Sequence, residues 1–151
     1  MPFMVWNDRI GVGVEAVDAD RKKMVEMINE LYEAILAGSG RKKLDSLLDR
    51  LVDYTRYHFV REEELFARTG YPDAAAHKRE HDEMAEWMKN TWRRHRNSSM
   101  PVPSLEVMNT LKDWLFNHIL GSDQKCAPHT KAHRGWGSQI PWDPERTATV
   151  Y

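Results

Sequence analysis

Residues 77–81 read HKREH. His77 and His81 stand four residues apart in a stretch free of Gly and Pro. An α-helix turns once in about 3.6 residues, so both rings leave one face if this stretch is helical. Its surroundings argue that it is. His77, His81, Met84, Trp87, Met88 and Trp92 recur at three- and four-residue steps, the amphipathic helix signature. The run covers about 73–95. Before it, Gly70 and Pro72 form a good helix stop followed by a good start.

Working outward, a second periodic run over about 41–69 carries Leu44, Leu47, Leu48, Leu51, Tyr54, His58, Leu65 and Phe66. GSG at 38–40 closes an earlier run, about 18–37, marked by Met24, Ile28, Leu31 and Ile35, with Asp18 or Asp20 as its expected cap. Downstream, Asn97 to Pro103 reads as a loop. Ser104 can cap a fourth helix, about 104–121, with Leu105, Met108, Leu111, Leu115, His118 and Ile119. Four amphipathic helices with short connections and no strand pattern predict an all-α, up-down-up-down four-helix bundle. Residues 1–17 read as an irregular arm able to cover the core. Residues 124–151, with Pro128, Pro141 and Pro144, read as an irregular tail packing through Trp136, Ile140 and Trp142.

Composition limits the function. The chain has 151 residues, 41% hydrophobic and 30% charged, with a formal net charge of −1. That is one globular domain with neither the basic field of a nucleic-acid binder nor an acidic tail. Cys126 is the only cysteine, so no internal disulfide and no CxxC site exist. Any metal must be held by imidazole and carboxylate, which suit iron, manganese or zinc. No apolar run approaches the roughly 20 residues of a membrane span, and the N-terminus lacks signal-peptide regions, so the expected location is the cytoplasm.

The histidine pair is not alone. Residues 58–62 read HFVRE, placing His58 and Glu62 four apart on the second helix. The fourth helix ends HILGSD, with His118 and Asp123 five apart. Five residues turn a regular helix by about 500°, leaving these two some 140° apart, so they converge only if the helix loosens near Gly121. All six fall on or near apolar stripes, which face a core. Unpaired buried polar groups cost roughly 1–3 kcal/mol each, and a shared metal satisfies them together. Each signal alone is weak: a lone core histidine is more often hydrogen-bonded than metal-bound, and the REEE run around Glu62 is more often a solvated face. Three helices each delivering an inward pair make the joint reading a metal centre. His95, His129 and His133 sit beside Arg or Lys and are expected to face solvent.

HFVREEE, GYP, HKREH and WLFNHILGSD together resemble the hemerythrin family in its bacterial single-domain form, from about Trp6 to Asp123. The resemblance implies a four-helix bundle holding two iron ions with a bridging oxo or hydroxo group and binding O2 reversibly. It implies that His77, His81 and His118 hold one iron, that His58 binds the other, and that Glu62 and Asp123 bridge them. Trp114, Leu115 and Ile119 match positions lining the oxygen pocket; as plain core of the fourth helix they would serve equally well. No nucleic acid or membrane partner is implied, and the protein partner is left open.

One position departs from the pattern. Where the family's first helix carries a histidine, DADRKKM places Arg21. Two six-coordinate irons offer about 12 positions. Five histidines, two bridging carboxylates and one bridging oxygen fill about 11; four histidines fill about 10. The guanidinium stays protonated and has no lone pair to offer a metal. Arg21 is therefore expected to swing toward solvent or to pair with a carboxylate such as Asp18, Asp20 or Glu63. The vacancy would go to water, to a local carboxylate such as Asp20 or a shifted Glu62, or to a tail histidine, His129 or His133. Three functions stay open: an O2-binding protein for storage, delivery or sensing; an enzyme acting on peroxide, O2 or nitric oxide; and a mononuclear or iron-buffering protein.

Overall fold

The computed structural model describes residues 2–7, 11, 13–97, 105–118, 121–122 and 124–130. In order these form α1 (Glu15–Leu36), α2 (Arg41–Thr69), α3 (Ala74–Asn97), α4 (Leu105–His118) and α5 (Gln124–Thr130). No strand occurs among the described residues. The four long helices make the expected bundle. α1 packs against α2 and α4, and α2 also packs against α3 and α5.

The core follows the helical stripes. Met24, Ile28 and Leu31 of α1 meet Leu44, Leu48 and Leu51 of α2, Met84 and Met88 of α3, and Met108, Leu111 and Leu115 of α4. Burying each such side chain stabilises the fold by about 1.5–3 kcal/mol before entropy is counted. The N-terminal arm covers one side. Met4 is buried, its backbone N–H donates to Asn29 Oδ1 at 2.7 Å, and Asn29 Nδ2 donates back to the Met4 carbonyl at 2.8 Å. Phe3 stacks on Tyr32 with ring centroids 4.3 Å apart.

Helix ends explain the connections. α2 stops at Gly70, whose φ of 68° is left-handed and suits glycine, and Tyr71 opens the short link to α3. α1 begins three residues earlier than the expected 18, after Val14, which offers no side-chain cap. Instead Asp18 reaches back from the first turn and accepts from the Gly13 N–H at 3.2 Å. A negative group there also complements the helix dipole. Asp20 does not cap. It lies one face round, buried, and turns inward.

Two further expectations are corrected. Residues 124–130, expected to be irregular, form α5. Its Cys126 and Ala127 pack with Val14, Val17, Leu65, Phe66 and Tyr71 in a second, smaller core. Pro128 is tolerated because the helix is barely two turns long, so its missing N–H removes a single intrahelical bond. His95, expected to face solvent, is wholly buried at the far end of α3 against Asp45 of α2, and Arg41 donates to its carbonyl at 2.5 Å. The loop 98–103, Ser104, His133, Trp136, Ile140 and Trp142 lie outside the described residues.

Candidate metal centre

Near the α3 N-terminus the apolar core gives way to imidazoles. His58 and Glu62 come from α2, His77 and His81 from α3, and His118 from the end of α4. All five are at most 5% exposed. The helical period delivers them: one-turn spacing puts each α2 and α3 pair on the stripe that already faces the bundle axis. Asp123 and Ile119 lie outside the described residues.

Four of these residues form one tight group. Ligand-competent atoms of Glu62, His77, His81 and His118 all lie within 4.8 Å of one another. His81 Nε2 is 3.0 Å from Glu62 Oε2 and 3.2 Å from His118 Nε2, and His77 Nε2 is 3.3 Å from Glu62 Oε2. Ligand atoms about 2.1 Å from a shared ion sit roughly 3.0–3.4 Å apart. The observed spacings fall in that range.

The outward ring nitrogens decide what the inward ones present. His81 Nδ1 lies 3.2 Å from Glu63 Oε1, and His118 Nδ1 lies 2.7 Å from Glu80 Oε2. A carboxylate accepts, so each Nδ1 is placed to donate its proton, the tautomer that leaves Nε2 able to ligate a metal. Two imidazole nitrogens and a carboxylate oxygen thus converge on one point, a donor set that a single cation would satisfy together. Carboxylates behind ligating imidazoles are also what orients such rings in metal proteins. Ser122 Oγ fixes Glu80 in turn, donating to its two oxygens at 2.6 Å each. Burial works to raise the Glu80 carboxyl, but the bonds from Ser122 and His118 hold it below the usual carboxylate value.

Aromatic rings enclose the group. Phe59 stacks on His81 with centroids 4.0 Å apart, Trp114 stacks on His118 at 4.7 Å, and Phe66 meets His77 edge-on at 4.7 Å. Leu115 is buried in the adjoining core. Trp114 thus lies against the group, while Leu115 belongs to the apolar core. A cleft of about 190 Å³ opens beside it, lined by Tyr71, Asp73, Ala76, His77, Glu80, Ser122 and Lys125.

The other pole of Glu62 is different. His58 Nε2 is 3.2 Å from Glu62 Oε1, and His58 Nδ1 is 3.4 Å from Asp20 Oδ2. Burial pushes the His58 ring down, but the Glu62 charge and the bonds to Asp20 and Glu62 outweigh it and lift the ring to about 9. Into this corner comes Arg21. It does not swing toward solvent: it is 0% exposed and, among the described residues, the largest fully buried side chain. It pairs with carboxylates, as expected, but the main partner is Glu62, to whose Oε1 its Nη2 donates at 2.5 Å. Asp18 Oδ1 lies 3.5 Å from its Nη1. Arg61 Nε lies 3.4 Å from Asp20. Burial would raise the Glu62 carboxyl, but His58 and Arg21 hold it well below the usual carboxylate range. His129 accompanies none of this; its Nε2 lies 2.9 Å from the Thr69 carbonyl oxygen.

The donor set therefore fits one metal at the His77, His81, His118 and Glu62 pole. The His58 pole does not fit a second on the described residues. Metal and guanidinium would share Glu62 Oε1, and a +2 and a +1 charge about 4 Å apart repel by roughly 8 kcal/mol at an effective dielectric constant of about 20.

Glu63, Glu80, Asp20 and Phe59 also belong to the site. Glu63 and Glu80 lie inside quoted motifs, REEE and HKREH, where their acidity reads as solvated surface. Phe59 follows His58 directly, and only the bundle geometry shows that it stacks on a ring of another helix.

Comparison with known proteins agrees with this geometry. Residues 12–130 match the family described as the hemerythrin HHE cation binding domain. A bacteriohemerythrin of Stenotrophomonas maltophilia is 38% identical over 133 residues, 88% of this chain and 85% of the relative. One of Pseudomonas aeruginosa is 34% identical over 123 residues, covering 82% and 78%. The crystal structure of wild-type hemerythrin superposes with a TM-score of 0.78 at 30% identity, covering 85% of this chain and 98% of that one.

Proposed function

Because the chain belongs to the hemerythrin family, we propose that it is a non-heme iron protein that binds O2, or a related small ligand, inside its four-helix bundle. His77, His81, His118 and Glu62 would hold the iron, with Asp123 as a further candidate ligand. The observation that carries this reading is the facing pair of Nε2 atoms, 3.2 Å apart on His81 and His118, each ring backed at Nδ1 by a carboxylate. The bound iron supplies an electron-rich ferrous ion to which a small ligand can attach.

The chain's own groups do the rest. Glu63 and Glu80 keep His81 and His118 in the tautomer that offers Nε2 inward. Phe59, Phe66 and Trp114 exclude water from the rings, and water exclusion is what keeps a ferrous centre from losing its electrons irreversibly. Trp114, Leu115 and Ile119 are the proposed oxygen-pocket wall. The role is storage, delivery or sensing, in the cytoplasm; among the described residues no helix is long and apolar enough to cross a membrane.

A second reading, turnover of peroxide or nitric oxide, is favoured by the cleft beside His77. Its Lys125, Asp73 and Glu80 offer groups that relay protons from solvent. Loading with ferrous iron under anaerobic conditions, then adding O2, separates the readings. A visible band that appears with O2 and vanishes on degassing is expected. Catalytic loss of added peroxide or nitric oxide without such a band supports the enzyme instead, and failure to take up iron overturns both.

A further inference from the structure

We infer that this chain holds one iron rather than two, and that the guanidinium of Arg21 occupies the place of the second. The inference rests on the proposed reading of the imidazole cluster as an iron centre and specifies its composition. Glu62 has two oxygens facing opposite ways. Oε2 faces His77 and His81 at 3.3 and 3.0 Å. Oε1 faces His58 at 3.2 Å and Arg21 at 2.5 Å. Both poles are buried, so each needs a cation or donors to offset its desolvation. At the first pole, ligand atoms of Glu62, His77, His81 and His118 lie within 4.8 Å of one another, close enough to share one metal. At the second, a permanent cation is already seated within hydrogen-bond distance.

The neighbours support the same assignment. Arg21 spans Glu62 and Asp18, and Arg61 answers Asp20. These guanidinium groups balance the carboxylates on the His58 side without any ion. Among the described residues, the group close enough to share one metal contains Glu62, His77, His81 and His118, and not His58. Arg21 offers no lone pair, so a metal beside His58 would draw on His58 and a Glu62 oxygen already bonded to a guanidinium. The bridging carboxylate of a two-metal site has become a bridge between one metal and one arginine.

The test loads the full chain anaerobically with ferrous iron, removes excess metal, and counts iron by elemental analysis. The oxidised protein is then measured by electron paramagnetic resonance. About one iron per chain and the half-integer-spin signal of an isolated ferric ion are expected. Two irons per chain, with the signal quenched by coupling between them, overturn the inference but leave the iron-centre reading standing. No uptake at all overturns both. Arg21→His restores an imidazole and removes the charge; it is expected to rise to two irons per chain, while Arg21→Lys, which keeps the charge, stays near one. An Arg21→His protein that folds, by circular dichroism, and still holds one iron shows that Arg21 does not set the limit. Should that variant not fold, the native chain's count and spectrum decide the matter alone.

Discussion

Arg21 on α1 and Glu62 on α2, 41 residues apart in sequence, meet at 2.5 Å with each side chain 1% exposed. Charges so far from water are tolerable only as a pair, because the desolvation of each is offset by the other. α1 and α2 are thereby joined at the polar end of the bundle.

The first expectation concerns that pair in the metal-free protein. Arg21→Met keeps the stem but leaves Glu62 buried without its shortest contact. Breaking a buried pair from one side costs about 3–5 kcal/mol; His58 and His81 also reach Glu62, so about 3 kcal/mol is expected. Urea unfolding of the metal-free protein measures it. A variant within about 0.5 kcal/mol of the parent, the range of ordinary surface substitutions, would contradict the pairing.

His58 gives a pH dependence. Its ring in the metal-free fold titrates near 9, above the ordinary 6.5. A raised basic group binds its proton more tightly folded than unfolded. Its contribution is complete below about pH 6.5 and is lost as pH rises through about 9. The full span is on the order of 3 kcal/mol. Metal-free protein unfolded by urea at pH 6, 8 and 10 should lose stability steadily, and His58→Gln should flatten that slope. A slope unchanged in the variant would rule out His58 as its source.

Glu80 tests the orientation of His118. Glu80→Gln keeps the shape and removes the charge behind Nδ1. Loss of a carboxylate behind a ligating imidazole weakens metal affinity by about 10- to 100-fold. Competition with a chelator reads this directly. Unchanged affinity would mean that His118 is not a ligand or is oriented by other contacts.

Phe59 tests the aromatic enclosure. It is 1% exposed and stacks on His81. Phe59→Ala is expected to cost about 3–5 kcal/mol in stability, the usual range for emptying an aromatic core site. It should also speed irreversible oxidation of ferrous iron, followed by absorbance in air. Stability lost with no change in oxidation rate would confine Phe59 to packing.

How much of this the sequence disclosed depended on range. Periodic stripes carry α1 to α4 because each rests on neighbours three and four residues apart. HKREH and HFVRE put their imidazoles on those stripes, and the structure brings His58, Glu62, His77, His81 and His118 together. What stayed hidden was set by partners distant along the chain. His95 lies between Arg94 and Arg96 and reads as surface, yet Asp45 receives it from 50 residues away. Arg21, flanked by Lys22 and Lys23, reads as one end of a basic patch until α2 places Glu62 against it. α5 was obscured by Pro128, which a helix of seven residues accommodates because it has almost no interior to break.

The burial of Arg21 has one more consequence. A histidine in that corner would be a base able to gain and lose a proton, and the field felt by Glu62 would follow. A guanidinium does neither. Acidity and iron supply can fluctuate around the molecule while the countercharge on this carboxylate stays constant.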